Sequence, residues 1–528
     1  MDALDAARDV LPWWVSWGTG LLYIPLAFLL SLAAASLGAF ISAMPLRRFR
    51  GGPWPEKVRV VWPVRIMTSL NLLFLPILIG GLMILFQSPI ARVPAHWLCV
   101  LAGLAAFAGA LIVRIRREKT VQRERAAFVY RLQGFFTVWL ILLPQVLVAA
   151  AVWALLPSRM NLHAAAVLAA GAAAMGFCAR GGGLLAARAL GLAKPASGRL
   201  TGIIEATAQR VGVRPKGVYE IRWAKANAFA FPLSGRMAFT DASLKVMSDE
   251  EIGAIAAHEM GHLAESRLVS LARASILFGL LMVAAGKPIA GSFGWHAFLV
   301  VFVSFFVLIL LIKKMARRME MRADEVAHSA EAGAGVYARA LEKLHEHNMI
   351  PAVMPGKRRV HPHLYDRLLA AGVQPAYPRP GPPPRWSSRV GLLASLLPVI
   401  ALLLGLRILF IFASLPARHN EQALEVLVAA GGGEERELSD LAHLRFERGD
   451  TGGSIALYRA AAATDGGSPT YPANLAIVLA YTGRCDEAKR WADDADLLTK
   501  AGGDNPGERR LVHMAVTAVD RCREPGAR

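Results

Sequence analysis

His258-Glu259-Met260-Gly261-His262 reads as HExxH within a stretch of helical periodicity. Residues four apart share a helix face, so His258 and His262 can present two imidazoles to one cation. Glu259 stands beside them, placed to take a proton from a metal-bound water. Ser248 and Glu251 form a capping-box pair at the start of this helix. Ile252, Ile255, Ala256, Met260 and Leu263 then give it one apolar stripe. A metal-binding helix must be partly buried to hold its ligands rigid, and this pattern buries it. The bland alternative is two surface histidines on a solvated helix.

A catalytic zinc site needs a third protein ligand and an open fourth position. Downstream, Glu320 and Asp324 are four apart in Arg317-Arg318-Met319-Glu320-Met321-Arg322-Ala323-Asp324, so both carboxylates face one side of a helix. One can bind the cation while the other accepts the second N–H of a ligating histidine. Taken alone, the two acids would merely offset the surrounding arginines.

With these residues in view, the chain resembles the membrane metallopeptidases that include the bacterial HtpX proteases and the eukaryotic CAAX prenyl proteases, over roughly residues 195–370. The resemblance implies an α+β zincin-like catalytic domain with one Zn2+ per chain on His258, His262 and Glu320. It implies Asp324 as the supporting carboxylate and Glu259 as general base. Asn227-Ala228-Phe229-Ala230 is similar to the family's NAF segment, which implies an edge strand where Asn227, Ala228 and Phe229 bind the substrate backbone. His361-Pro362, with Arg367 five residues after the proline, is similar to the family's HPxxxxR segment. That likeness places His361 near the zinc as a catalytic residue stabilising the oxyanion, with Arg367 a weaker candidate at the substrate. His361 can also be read as an ordinary loop histidine.

Composition points to a membrane before any motif does. Hydrophobic residues make up 55% of 528 positions and mean hydropathy is +0.40, too apolar for a soluble enzyme of this length. Residues 10–46, 66–91, 93–113, 132–158, 160–179 and 288–312 lack Asp, Glu, Lys and Arg, and each is long enough to cross a bilayer. Residues 268–286 carry Arg273, and 390–415 are interrupted by Arg407. The metal helix and Glu320 must meet on one side, so 268–286 and 288–312 are expected to form a transmembrane hairpin. The alternative is that neither crosses.

Lys and Arg crowd the loops after the first and third spans, whereas the alternate loops hold only Arg92 and Arg159. This bias puts the zinc site in the cytoplasm of a cell whose inner (plasma) membrane carries the protein, and the N-terminus outside. Basic loops facing anionic membrane lipid account for the net charge of +20 without nucleic acid.

The expected fold class is mainly α: a multi-pass membrane protein with the zincin-like domain and a small helical-repeat tail. Residues 1–190 form a five-span membrane region, and 191–267 the first part of the catalytic domain. Residues 268–313 form the hairpin, 314–372 the second catalytic part, 373–389 a proline-rich linker and 390–415 the last span. In 416–528, Gly449 and Gly483 mark equivalent turns one tetratricopeptide period apart, which suggests a protein-binding module. A generic helical hairpin is the alternative. Cys485 and Cys522 fall at a helix start and at the following helix end, so they are expected to pair in an oxidising compartment outside the cytoplasm, or else both stay free.

The expected function is zinc-dependent endopeptidase action on membrane-associated or misfolded polypeptides, a protein quality-control role. A dedicated processing or signalling protease, and a non-catalytic scaffold whose tail binds proteins, are the alternatives. A transporter is disfavoured, because few ionisable residues lie deep in the spans.

Overall fold

The computed structural model describes residues 3–122, 128–354, 363–432, 434–502 and 505–524. The protein is mainly α with one small mixed sheet. It builds two compact units. One joins Met1–Ser42, Ile66–Arg114 and Ser388–Arg528; the other joins Ala43–Arg65 and Ile115–Ser387.

The second unit holds the motif. Its sheet comprises β1 (Ala193–Pro195), β2 (Gly217–Ile221), β3 (Ala228–Phe231) and β4 (Arg236–Thr240), in the order β1-β2-β4-β3. β2 and β4 are parallel, and both outer pairs are antiparallel. The β3–β4 hairpin turns at Gly235, whose φ of 68° favours glycine. Strand alternation sends successive side chains of β4 to opposite faces. Met237 and Phe239 enter the core beneath helix Asp249–Leu263, together with Ile252, Ala256 and Met260. Ala238 joins Tyr219, Ile221 and Ile141 on the other face.

Seven helices among the described residues are long and apolar enough to cross a membrane: Trp13–Ser42, Trp54–Phe86, Ala95–Glu118, Leu162–Ala179, Arg267–Ala284, Trp295–Ala330 and Arg385–Ala417. The expected crossing at 132–158 differs from a single span. It is two helices, Phe128–Leu142 and Pro144–Leu155, bent by 76°. Pro144 supplies the reason: it has no N–H to continue the first helix, and its ring suits the first turn of the second. The first half lies on the sheet, where a methyl on Gly134 would meet the Trp223 ring at 2.7 Å. The second half packs through Val152 in one cluster with Met175 and Leu281.

In the first unit, Trp13–Ser42 and Arg385–Ala417 meet through small residues four apart on each helix, Gly38 with Ser42 and Gly391 with Ser395. A methyl on Gly391 would sit 1.9 Å from the Ser42 Oγ, so the backbones can approach only because it is absent. Arg407, the charge interrupting the last apolar segment, donates to the Gly431 carbonyl at 3.4 Å and pairs with Glu434. The tail folds as helical hairpins that turn at Gly449 (φ 85°) and Gly483 (φ 76°). The N-terminal helix Ala3–Val10 docks into the same core: Ala7 and Leu11 are buried with Leu441, Leu457 and Leu475.

Cys485 and Cys522 are joined by a disulfide across a sequence separation of 37. Closing a loop of that size removes unfolded-state entropy on the order of 3 to 4 kcal/mol. Replacing Cys485 by Ser is therefore expected to make the tail markedly more sensitive to limited proteolysis. A peptide map of natively expressed protein under non-reducing conditions checks the bond itself, and two alkylated thiols would contradict it.

Candidate metal centre

Helix Asp249–Leu263 starts with a complete capping box. The Ser248 Oγ accepts from the Glu251 N–H at 3.3 Å, and the Glu251 Oε2 accepts from the Ser248 N–H at 2.8 Å. Lys343 neutralises the same carboxylate, with its Nζ 2.8 Å from Oε1. The helix is thereby fixed at its start, and its apolar stripe lies in the core.

Two residues before the end of that helix, at Gly261, the packing is tightest. A methyl there would fall 2.9 Å from the Ala323 Cα, so glycine alone lets the two backbones meet. That contact carries Glu320 and Asp324 to the histidines, because both acids sit on the same helix, Trp295–Ala330, as Ala323.

His258 Nε2 lies 3.6 Å from Glu320 Oε2, and His262 Nε2 lies 3.5 Å from the same oxygen. These three residues offer ligand atoms all within 4.8 Å of one another. Tetrahedral zinc with bonds of about 2.1 Å places its ligand atoms about 3.4 Å apart. Two imidazoles and one carboxylate at this spacing fit such a site, with the fourth position left to water or substrate.

Both rings are held from behind. His258 Nδ1 is 3.1 Å from Asp324 Oδ1, and His262 Nδ1 is 2.8 Å from Glu265 Oε1. Each Nε2 is therefore turned inwards, which is the tautomer a metal ligand needs. Asp324 Oδ1 also accepts from the Tyr337 hydroxyl at 2.7 Å and from Arg367 Nη2 at 2.6 Å. Tyr337 is fully buried, and its Oη lies 2.8 Å from His258 Nδ1.

Without a cation the site is electrostatically tense. Burial pushes the His258 imidazole down, but Asp324 and Glu320 outweigh it and hold it at about 9. Burial also opposes protonation of His262, yet Glu265 and Glu320 raise it to about 10. At neutral pH both rings thus carry protons that a metal must displace, so cation binding strengthens as pH rises towards those values. Burial raises the Glu259 carboxyl, opposed by the two histidines and by the Ala230 backbone amide. A carboxyl moved upwards in this way suits a general base working near neutrality.

The Asn227–Ala230 stretch lies where the edge-strand expectation needs it. β3 is a terminal strand of the sheet. The Thr240 N–H donates to the Asn227 carbonyl at 3.0 Å. Alternation then turns Phe229 and Phe231 towards β4, and leaves the backbone groups of Ala228 and Ala230 facing the free edge beside Glu259. His361 lies outside the described residues. Arg367 is also brought to the site. Its guanidinium is bound to Asp324 and, at 3.0 Å, to the Tyr337 hydroxyl, one half-buried and one buried acceptor.

Two residues escaped the sequence reading. Glu265 follows His262 by three positions, a helical spacing that could have marked it. Tyr337 falls on the apolar phase of Val336–His347 with Leu341 and Leu344, where a hydroxyl demands a partner. Replacing Tyr337 by Phe keeps the ring and removes the hydroxyl. Zinc affinity is expected to fall about 10-fold or more, as when a group orienting a metal ligand is lost, measured by competition with a chromogenic chelator.

Comparison with known proteins points the same way. The model of peptidase family M48 matches residues 195–373, a span that opens at β1 and closes beyond Arg367. A protease HtpX homologue from Picrophilus torridus is 29% identical over 164 residues, covering 29% of this chain and 53% of that protein. The chain thus spans about half the length of this curated relative.

Proposed function

We propose, from the match of residues 195–373 to the model of peptidase family M48, that this chain is a membrane-embedded zinc endopeptidase. The observation that carries the reading is the convergence of His258, His262 and Glu320 beside Glu259. When bound, zinc would lower the pKa of water at the open position and polarise the scissile carbonyl. Glu259 takes the proton from the attacking water and delivers it to the leaving amine. Asp324 and Glu265 keep the two imidazoles turned inwards. The free edge of β3 lies beside that base, so a polypeptide added as a further strand would run past it. Such binding reads main-chain groups, which suits substrates of varied sequence, such as misfolded membrane-associated proteins.

Glu259→Gln keeps a side chain of the same shape but removes the base. It is expected to lower peptide hydrolysis by at least about 1000-fold while zinc content stays at one per chain, a combination read by fluorogenic peptide assay and metal analysis. Unchanged turnover would end this mechanism.

For localisation we favour a cytoplasmic zinc site, with the N-terminus and the tail on the other side of the inner membrane. The basic loops support this orientation. The core shared by Ala7, Leu11 and the tail helices adds a parity argument, because it requires an even number of crossings between residues 10 and 418. Eight satisfies it, counting the bent pair as one crossing, and seven does not. The disulfide at Cys485–Cys522 suits an oxidising compartment for the tail. Its paired helices suit a protein-binding role of the tetratricopeptide kind. Reporter fusions at residues 95, 250 and 450 are expected to read outside, cytoplasmic and outside; a cytoplasmic signal at 450 would refute the outer tail.

A further inference from the structure

We propose that the catalytic centre stands at a fixed height above the membrane, so that in a membrane-anchored polypeptide the first bond it can reach lies about three residues beyond the end of the span. The inference rests on the hydrolase reading above.

Three close contacts set the geometry. A methyl on Gly261 would fall 2.9 Å from Ala323, one on Gly279 2.6 Å from Phe305, and one on Gly286 2.5 Å from Phe298. Between the first two contacts, the chain advances 18 residues on one side and returns 18 on the other. Between the second and third, it advances and returns seven. Equal steps mean one constant antiparallel register. Arg267–Ala284 and the first turn of the next helix run against Trp295–Ala330 in this register, and the metal helix keeps it across the short non-helical turn at 264–266.

That register fixes where the bilayer begins. Arg273 is the last charge before the apolar run on one side, and Lys313 follows the apolar run on the other. At constant register, position 273 lies opposite position 311, within one helical turn of Lys313. Two independent sequences thus mark the same level. From Lys313 to Glu320 the helix is unbroken over seven residues, about 10 Å at 1.5 Å per residue. A typical tilt of about 20° shortens that height by less than about 1 Å.

The height is rigid. The contact of Gly261 with Ala323 ties the histidine helix to the Glu320 helix, backbone to backbone, so the donor set cannot sink towards the bilayer by bending one helix alone. An extended polypeptide covers about 3.3 Å per residue, so a chain leaving the membrane needs about three residues to reach the level of Glu320. Soluble polypeptides meet no such limit. For anchored ones, bonds at the membrane surface are out of reach.

The test uses the full-length zinc-loaded protein in liposomes. A short unstructured peptide whose single cleavage site has been mapped in soluble form is joined to a single-span anchor through spacers of one to about ten residues. Cleavage products are identified by mass spectrometry. The expected result is loss of cleavage of at least about 10-fold below a spacer of about three residues, with longer spacers cut at the mapped bond. Equal cleavage at every spacer, or cutting within the apolar run, would overturn the ruler while leaving the hydrolase reading intact. Failure to cut even the soluble peptide would overturn the hydrolase reading, and the ruler with it.

Discussion

The backbone contact between Gly261 and Ala323 is the constraint on which the rest of this protein depends. The two helices carry no covalent link near the metal centre, and their ligands lie far apart in sequence. Only a residue without a Cβ lets them come within 2.9 Å of the position a methyl would take. Moved apart by even one methyl, Glu320 would no longer share one small volume with His258 and His262. The glycine inside the motif is therefore a packing requirement set by the approach of the helix that carries Glu320, and it says nothing about helix propensity, which it lowers.

Placing two histidines and four acids in one half-buried pocket is costly unless each has a partner. The site meets that condition by sharing. A single oxygen of Asp324 faces His258, Tyr337 and Arg367, and Glu265 faces His262. Arg367 brings the one permanent positive charge in this group, which offsets Asp324 whether or not a metal is bound. The two imidazoles, raised to about 9 and about 10, supply the remaining positive charge as protons when no cation is present. A metal bound there would exchange those protons for a stronger charge at the same spot.

Much of this centre was legible in the sequence, for a physical reason. HExxH, the capping box at Ser248 and the ExxxD pair are all encoded by helical spacing, which repeats along the chain and needs no tertiary information. The two apolar helices between His262 and Glu320 were legible from composition, and both are long and apolar enough to cross a membrane. What stayed hidden depends on contacts between distant segments. Tyr337 reads as one more apolar-phase aromatic until His258 and Asp324 are brought to it. The ion pair of Arg367 with Asp324 could not be read from the sequence, since 43 positions separate them. The break at Pro144 was visible as a residue, but its 76° bend follows from the sheet that captures the preceding helix, and the sheet is assembled from strands of three to five residues with weak patterns. Arg407 likewise looked like a defect in a span, whereas Glu434 and the Gly431 carbonyl explain its tolerance.

The position of the hairpin within the motif order has a consequence for assembly. His262 and Glu320 flank two helices that are apolar enough to enter a bilayer, so the members of the candidate ligand set come from opposite ends of one apolar segment. In water, bringing such distant residues together costs loop-closure entropy, and the exposed apolar surface between them would favour collapse or aggregation instead. The two helices run antiparallel and return their ends to one place, and the register along them delivers Glu320 opposite the histidines. On the proposed reading of a membrane-embedded hydrolase, insertion and metal-site formation would be one event, because a chain that has not entered the bilayer would lack Glu320 in place beside the histidines.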